Sequence, residues 1–75
     1  MPVAEIRVKS EITGKVWAIE AKLGDRLNEE DPIIVLESMK MEIPVVAPVA
    51  GTLKQILVSQ GEPVQEGQVV AVLES

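Results

Sequence analysis

The sequence predicts an all-β fold, either a sandwich or a flattened barrel. Val, Ile and Leu supply 25 of the 75 residues and Trp17 is the only aromatic residue, so β-branched packing has to form the core. Five glycines and five prolines interrupt the chain at short intervals and leave no long helical run. Turn signals recur about every 8–12 residues between short apolar segments, which is typical of sandwiches and barrels.

The sequence also contains an internal duplication. When the sequence is shifted by 37 positions, residues 1–38 align with residues 38–75 without a gap, and 11 of the 38 aligned pairs are identical. Two such copies of one supersecondary unit bury their apolar faces against each other. We therefore expect a single domain over residues 1–75, built from the halves 1–38 and 38–75 around a pseudo-twofold axis.

Each copy is predicted to form three strands in the same order. Alternating polar and apolar residues predict a strand with one face in water, and an unbroken apolar run predicts a buried strand. The predicted strands cover residues 5–9, 16–21, 33–36, 41–47, 53–59 and 69–73. The predicted turns and loops cover residues 13–14, 23–26, 29–32, 48–51 and 60–63. Gly24 is expected to adopt a positive φ in its loop.

The two copies are joined at Lys40. Under pseudo-twofold symmetry the connection is a hairpin, with strands over residues 33–37 and 41–46 and a tip around residues 38–40. The chain stops where an equivalent hairpin would follow the second copy. We therefore expect Met1 and Ser75 to lie together, at the end of the domain opposite Lys40.

Charge and composition argue against several classes of protein. A net charge of −5 repels nucleic-acid phosphates and anionic lipids, so neither nucleic acid nor a membrane is an expected partner. The chain has no cysteine, no histidine and no clustered acid, base and nucleophile, so we expect neither a metal site nor a free-standing enzyme. It has neither a signal-peptide pattern nor the ~20 apolar residues that cross a bilayer, so a cytoplasmic location is expected.

Lys40 is the candidate functional residue. A lysine in a tight turn between buried strands has a fixed backbone and a solvated ammonium group. Enzymes that use lysine as a nucleophile desolvate it or place another cation beside it, whereas Lys40 has Glu37 and Glu42 as its charged neighbours. Two large apolar side chains, Met39 and Met41, flank it at the tip. This pattern favours a tethering point that receives a group from an already activated donor.

The segment Glu37-Ser38-Met39-Lys40-Met41 resembles the biotin attachment motif of biotin carboxyl carrier proteins and of the biotinyl domains in biotin-dependent carboxylases. The resemblance continues through Ala47-Pro48-Val49-Ala50-Gly51 and covers essentially the whole chain, which is most similar to short stand-alone biotin/lipoyl attachment proteins. It implies the barrel-sandwich hybrid fold, a flattened barrel of two four-stranded antiparallel sheets with a pseudo-twofold internal repeat.

The resemblance also implies that a biotin protein ligase attaches biotin to the ε-amine of Lys40, using biotinyl-adenylate as the donor. The biotin arm then carries a carboxyl group from a biotin carboxylase site to a carboxyltransferase site, so the chain itself is a non-catalytic carrier. Glu37, Met39 and Met41 match the residues that flank the lysine in the motif, and the ligase is expected to recognise them.

Two alternatives stay open. A lipoyl carrier would have the same fold and the same lysine position, although an acidic residue and an alanine usually stand there in place of Met39 and Met41. An unmodified module that acts as a spacer or an interaction domain would leave Lys40 bare. Trp17 likewise allows two interpretations, as a residue packed on one sheet face or as a docking hot spot.

Overall fold

The computed structural model describes residues 4–75, which form eight β-strands. The strands are β1 Glu5–Lys9, β2 Gly14–Ile19, β3 Arg26–Leu27, β4 Pro32–Ser38, β5 Met41–Val46, β6 Gly51–Ile56, β7 Pro63–Val64 and β8 Val69–Glu74. They form two antiparallel four-stranded sheets, with the orders β1-β8-β6-β3 and β5-β4-β2-β7. No helix capable of crossing a lipid bilayer occurs in this part of the chain. The all-β prediction and the two sheets implied by the resemblance are confirmed.

The shift of 37 residues that aligns the sequence also relates the two sheets. It converts β1 into β5, β2 into β6, β3 into β7 and β4 into β8, so the order of one sheet becomes the order of the other. Hydrogen bonds repeat under the same shift: the Gly24 amide donates to the Leu53 carbonyl at 2.8 Å, and the Gly61 amide donates to the Val16 carbonyl at 2.7 Å. Both glycines have positive φ, 90° and 87°, as expected for Gly24. The pseudo-twofold relationship therefore extends to individual bonds.

The core is one cluster of apolar side chains drawn from both sheets, and it follows the same symmetry. Among residues 4–75, each buried side chain has a buried counterpart 37 positions away. The pairs are Val8 and Val45, Ser10 and Ala47, Val16 and Leu53, Ala21 and Val58, Leu27 and Val64, Ile33 and Val70, Ile34 and Ala71, Val35 and Val72, and Leu36 and Leu73. Each copy contributes one member of every pair, so neither copy has a core of its own.

The sheets carry matching β-bulges. Trp17 has no partner in the register between β2 and β4, and Lys54 has none between β6 and β8. Ile33 and Val70 form a second such pair, and both are buried. A bulge changes the direction of the extra side chain and increases the local twist. Trp17 leaves 47% of its surface exposed, so it is only half packed against its sheet.

The structure contains two short strands that the sequence does not predict. The first residues of β3 and β7, Arg26 and Pro63, end segments predicted as a loop and a turn, and each strand is only two residues long, too short to show strand periodicity. Their residues Leu27 and Val64 are buried. Gly14 and Gly51 also differ from the prediction, since they begin β2 and β6 and do not occupy turns.

The two ends of the described chain meet. The Ser75 amide donates a hydrogen bond to the Ala4 carbonyl at 3.0 Å, and β1 pairs with β8 from Glu5 opposite Glu74 onward. The expected closeness of the chain ends is confirmed for these residues, while Met1 itself falls outside the described residues.

Candidate functional site

Lys40 lies at the tip of the hairpin between β4 and β5. Ser38 pairs with Met41, which leaves Met39 and Lys40 as a two-residue turn. Their φ angles are 52° and 65°, both in the left-handed region. A two-residue turn with positive φ at both central positions matches the right-handed twist of the flanking strands. The predicted hairpin tip is therefore confirmed, and its backbone has little freedom.

The hairpin is held from behind by β2. Within the sheet, β4 lies between β5 and β2, and Lys15 of β2 pairs with Glu37, one residue before Ser38. Residues 33–36 of β4 are all buried in the core. Lys40 thus follows a strand embedded in the domain, so its backbone position is fixed although its side chain is exposed.

The side chains at the tip project into solvent. Met39 is 92% exposed and Met41 is 62% exposed, with the exposed Lys40 between them. Methionine is common at surfaces that bind partners, because its thioether is flexible and polarisable. Both flanking methionines are therefore available to a partner that approaches Lys40.

Two carboxylates stand at the base of the tip without pairing with Lys40. Glu37 and Glu42 lie directly opposite each other on β4 and β5. Like charges directly opposite each other destabilise a strand pair. Among residues 4–75, no carboxylate lies within ion-pair distance of Lys40. Its Nζ can therefore be reached from outside without breaking an ion pair.

The site offers an exposed primary amine that forms no ion pair with any of residues 4–75. No group of three or more His, Cys, Asp or Glu side chains converges within the part of the chain that the structure describes. An amine of this kind can be acylated by a catalyst that supplies its own base and an activated acyl donor. The predicted residues Glu37, Met39, Lys40 and Met41 all lie in this one hairpin, at or beside its tip.

A small depression beside the tip is not evident from the sequence. It has a volume of about 180 Å³, and its lining residues are Lys15, Val16, Trp17, Glu37, Gln60 and Gly61. Among them, Glu37 is a predicted site residue and a docking role is one of the two interpretations of Trp17. The sequence predicts no role for the other four, which come from β2 and from the loop before β7. The one feature of the sequence that points to this depression is the alignment of the two copies, in which Trp17 of the first copy is the counterpart of Lys54 in the second.

Comparison with known proteins brings these features together. The sequence profile of the family described as "Biotin-requiring enzyme" matches residues 4–73. The chain is 42% identical over 66 residues to the "Biotinylated protein TB7.3 homolog" of Mycobacterium leprae, a match that covers 88% of this chain and 93% of that protein. It is 38% identical over 66 residues to the "Biotin/lipoyl attachment protein" of Bacillus subtilis, which covers 88% of this chain and 90% of that protein.

The same fold occurs inside a much larger protein. The crystal structure of the Kluyveromyces lactis urea carboxylase superposes on this chain with a TM-score of 0.90 at 36% identity. The match covers 97% of this chain and 6% of the carboxylase, so it relates this chain to one small part of that protein. The solved structure shares the fold of this chain, and the profile and the relatives show that the chain belongs to the biotin/lipoyl attachment domain family.

Proposed function

We propose that the chain is a biotin carboxyl carrier, in which Lys40 bears biotin and moves a carboxyl group between the active sites of a biotin-dependent carboxylase. The observation that carries this proposal is the exposed Lys40, flanked by two exposed methionines on a turn with a constrained backbone. The relatives support it, since one is named as a biotinylated protein and the solved structure is a carboxylase. In this role the chain is a carrier and supplies no active site of its own.

Attachment of biotin requires a biotin protein ligase as the first partner. The Lys40 ammonium group first loses a proton to the ligase or to solvent, and the Nζ lone pair then attacks the carboxyl carbon of activated biotin. AMP leaves with the electron pair of the broken C–O bond, and Nζ gives up a second proton as the amide forms. Because the amide is neutral, the formal net charge changes from −5 to −6. The exposed tip fits this reaction, since the amine is accessible and the backbone beneath it is held by β4 and β2.

The attached biotin supplies a ureido nitrogen that can hold a carboxyl group. The chain contributes the presentation of the arm to two further partners, a biotin carboxylase and a carboxyltransferase. A tether raises the effective concentration of its load at each site within its reach. Because the Met39-Lys40 turn is tight, the reach of the arm depends on its own bonds and on the docking of the whole domain.

A lipoyl carrier is the second candidate, and the name of the Bacillus subtilis relative includes both groups. Lipoyl carriers share the fold and the position of the lysine. Met39 and Met41 favour biotin, because they stand where lipoyl carriers usually have an acidic residue and an alanine. Their exposure places them where a ligase can distinguish the two kinds of tip.

The test is the intact mass of the chain after incubation with ATP, biotin and a biotin protein ligase. Wild type is expected to gain one biotinyl group, and Lys40→Arg is expected to gain none. With lipoate and a lipoate ligase, wild type is expected to stay unmodified, while the double variant Met39→Asp with Met41→Ala gains lipoyl groups more readily. Biotin on the Lys40→Arg variant, or a preference of wild type for lipoate, would refute the assignment.

A further inference from the structure

Near the attachment site, one pair of equivalent residues carries different chemical groups in the two copies. Trp17 and Lys54 are the equivalent bulge residues of β2 and β6. In the second copy, Lys54 Nζ lies 3.6 Å from Glu74 Oε1 and forms an ion pair. In the first copy, Glu37 is the counterpart of Glu74, and the indole of Trp17 takes the place of the Lys54 ammonium group. Glu37 forms no ion pair with any of residues 4–75. The Glu37 carboxylate is therefore open to another hydrogen-bond donor.

The depression of about 180 Å³ described above lies at this position. Its lining residues include the half-exposed Trp17 together with Glu37, Lys15 and Gln60. The Gln60 side chain is oriented, because its Nε2 donates a hydrogen bond to the Trp17 carbonyl at 3.2 Å. An aromatic surface is thus combined with a carboxylate, an amide and an ammonium group in one small space.

This combination is complementary to a cyclic urea. A urea presents two N–H donors and one carbonyl acceptor, which match a carboxylate and an amine or amide N–H respectively. An aromatic side chain buries the apolar surface of a compact ring. We propose that the depression is the resting place of the biotin head group after attachment to Lys40, an inference that rests on the proposed function. Glu37 accepts a hydrogen bond from a ureido N–H, and Trp17 packs against the ring.

The arm is long enough to reach this position. Glu37 precedes Lys40 by three residues, which span at most about 10 Å of backbone. Lys15 lies opposite Glu37, about 5 Å away across the sheet, and Trp17 follows about 7 Å further along β2. A biotinylated lysine has about eleven bonds between Cα and the bicyclic ring, which extend to about 14 Å at ordinary bond lengths. The ring can therefore lie between Glu37 and Trp17 with the arm folded back over the hairpin.

The chain provides its own reporter, because Trp17 is its only aromatic residue. The experiment compares collisional quenching of Trp17 fluorescence by acrylamide before and after biotinylation, with attachment verified by intact mass. A ring that shields Trp17 fully for half of the time halves the quenching constant, so we expect a fall of about two-fold or more. The fall is expected to be independent of protein concentration, because the ring and the indole belong to one molecule.

The matched control exploits the duplication. The double variant Trp17→Lys with Lys54→Trp moves the indole to the equivalent bulge of the other sheet, beside Glu74. Its quenching constant is expected to stay unchanged on biotinylation. An equal fall in this variant, or no fall in biotinylated wild type, would overturn the resting place while leaving the carrier function intact.

Two further outcomes would reassign the depression. A fall that grows with protein concentration would assign it to a second copy of the chain, and a fall that appears only after a biotin carboxylase is added would assign it to that partner. Either result overturns the proposal. Failure of the mass to increase at all would instead refute the proposed function, and the inference with it.

Discussion

Gly14 and Gly51 are required by the closeness of a neighbouring strand. A Cβ atom at Gly14 would lie 2.8 Å from the carbonyl oxygen of Glu37, and one at Gly51 would lie 3.0 Å from that of Glu74. Both distances are well below the roughly 3.5 Å at which non-bonded heavy atoms pack. The obstacles are backbone atoms of the adjacent strand, so they cannot rotate away. Gly14 thereby allows β2 to approach β4 immediately before the tip that carries Lys40.

Substitution of Gly14 by Ala is expected to lower the free energy of unfolding by about 1–3 kcal/mol, the usual cost of added volume at a packed site. Urea unfolding followed by circular dichroism measures this change. Glu11→Ala is the matched control, because Glu11 is exposed and surface substitutions usually change stability by less than about 0.5 kcal/mol. An unchanged unfolding midpoint for Gly14→Ala would show that β2 and β4 are not in such close contact.

Single residues in the sequence predict some local features and miss others. The positive φ predicted for Gly24 is confirmed, whereas the φ of 73° at Glu30 is not predicted, although its repeat counterpart Gly67 has a φ of 85°. A glycine can be required either by a positive φ or by the close approach of two backbones, and the sequence alone does not show which of the two applies. Gly14 is wrongly predicted as a turn residue for this reason. Lys40 is predictable because it stands at the junction of the two copies.

The β4–β5 hairpin is the element that presents Lys40. Met39 and Lys40 both have left-handed backbone angles, which cost a residue other than glycine about 1–2 kcal/mol. The register of β4 with β5 from Pro32 to Ser38 and the burial of β4 offset this cost. The buried and paired strand β4 therefore supports the left-handed turn even though the side chains of the turn are exposed.

Substitutions at Met39 are expected to affect stability through the backbone. Met39→Gly should be at least as stable as wild type, and Met39→Val should be less stable than Met39→Gly by about 1–2 kcal/mol, because a β-branched residue tolerates positive φ poorly. Chemical unfolding of both variants gives the difference. At the exposed strand position Glu42 the order should reverse, with Glu42→Val more stable than Glu42→Gly. The same order at both positions would argue against left-handed angles at the tip.

The hairpin is predictable from the sequence, but the depression beside it is not. The unbroken apolar run at residues 33–36 and the repeat junction predict two strands with Lys40 between them, and both are confirmed. The depression forms where β2, β4 and the loop before β7 come together. Its shape also depends on the bulge at Trp17, which interrupts the register between β2 and β4. A bulge depends on pairing between strands that are distant in sequence, so neither strand encodes it alone. The strands β3 and β7 are missed because two residues are too few to show strand periodicity.

At the scale of the whole molecule, each sheet mixes strands from both halves of the chain. In one sheet β1 and β3 of the first half flank β8 and β6 of the second, and in the other β5 and β7 of the second half flank β4 and β2 of the first. Among the strands of residues 4–75, only the pairings β2–β4 and β6–β8 join strands of the same half. The paired core residues reinforce this interleaving, since each pair draws one member from each half.

The isolated fragment 1–38 is therefore expected to be unfolded, because it loses four of its five strand pairings and half of every core pair. Circular dichroism during a urea titration should show no cooperative transition for the fragment, while the intact chain under the same conditions unfolds cooperatively. A cooperative transition in the fragment would mean that one copy forms a core without the other.

The central claim is that the fold selects Lys40 for modification. Lys9, Lys15, Lys22 and Lys54 are also exposed, so exposure alone does not distinguish it. What distinguishes Lys40 is its place at the tip of a two-residue turn between two exposed methionines.

The most direct test is peptide mapping by tandem mass spectrometry of the native chain after reaction with biotin, ATP and a biotin protein ligase. The account predicts biotin on Lys40 and on none of the other four lysines. Biotin distributed over several lysines, or attached to a lysine other than Lys40, would contradict it.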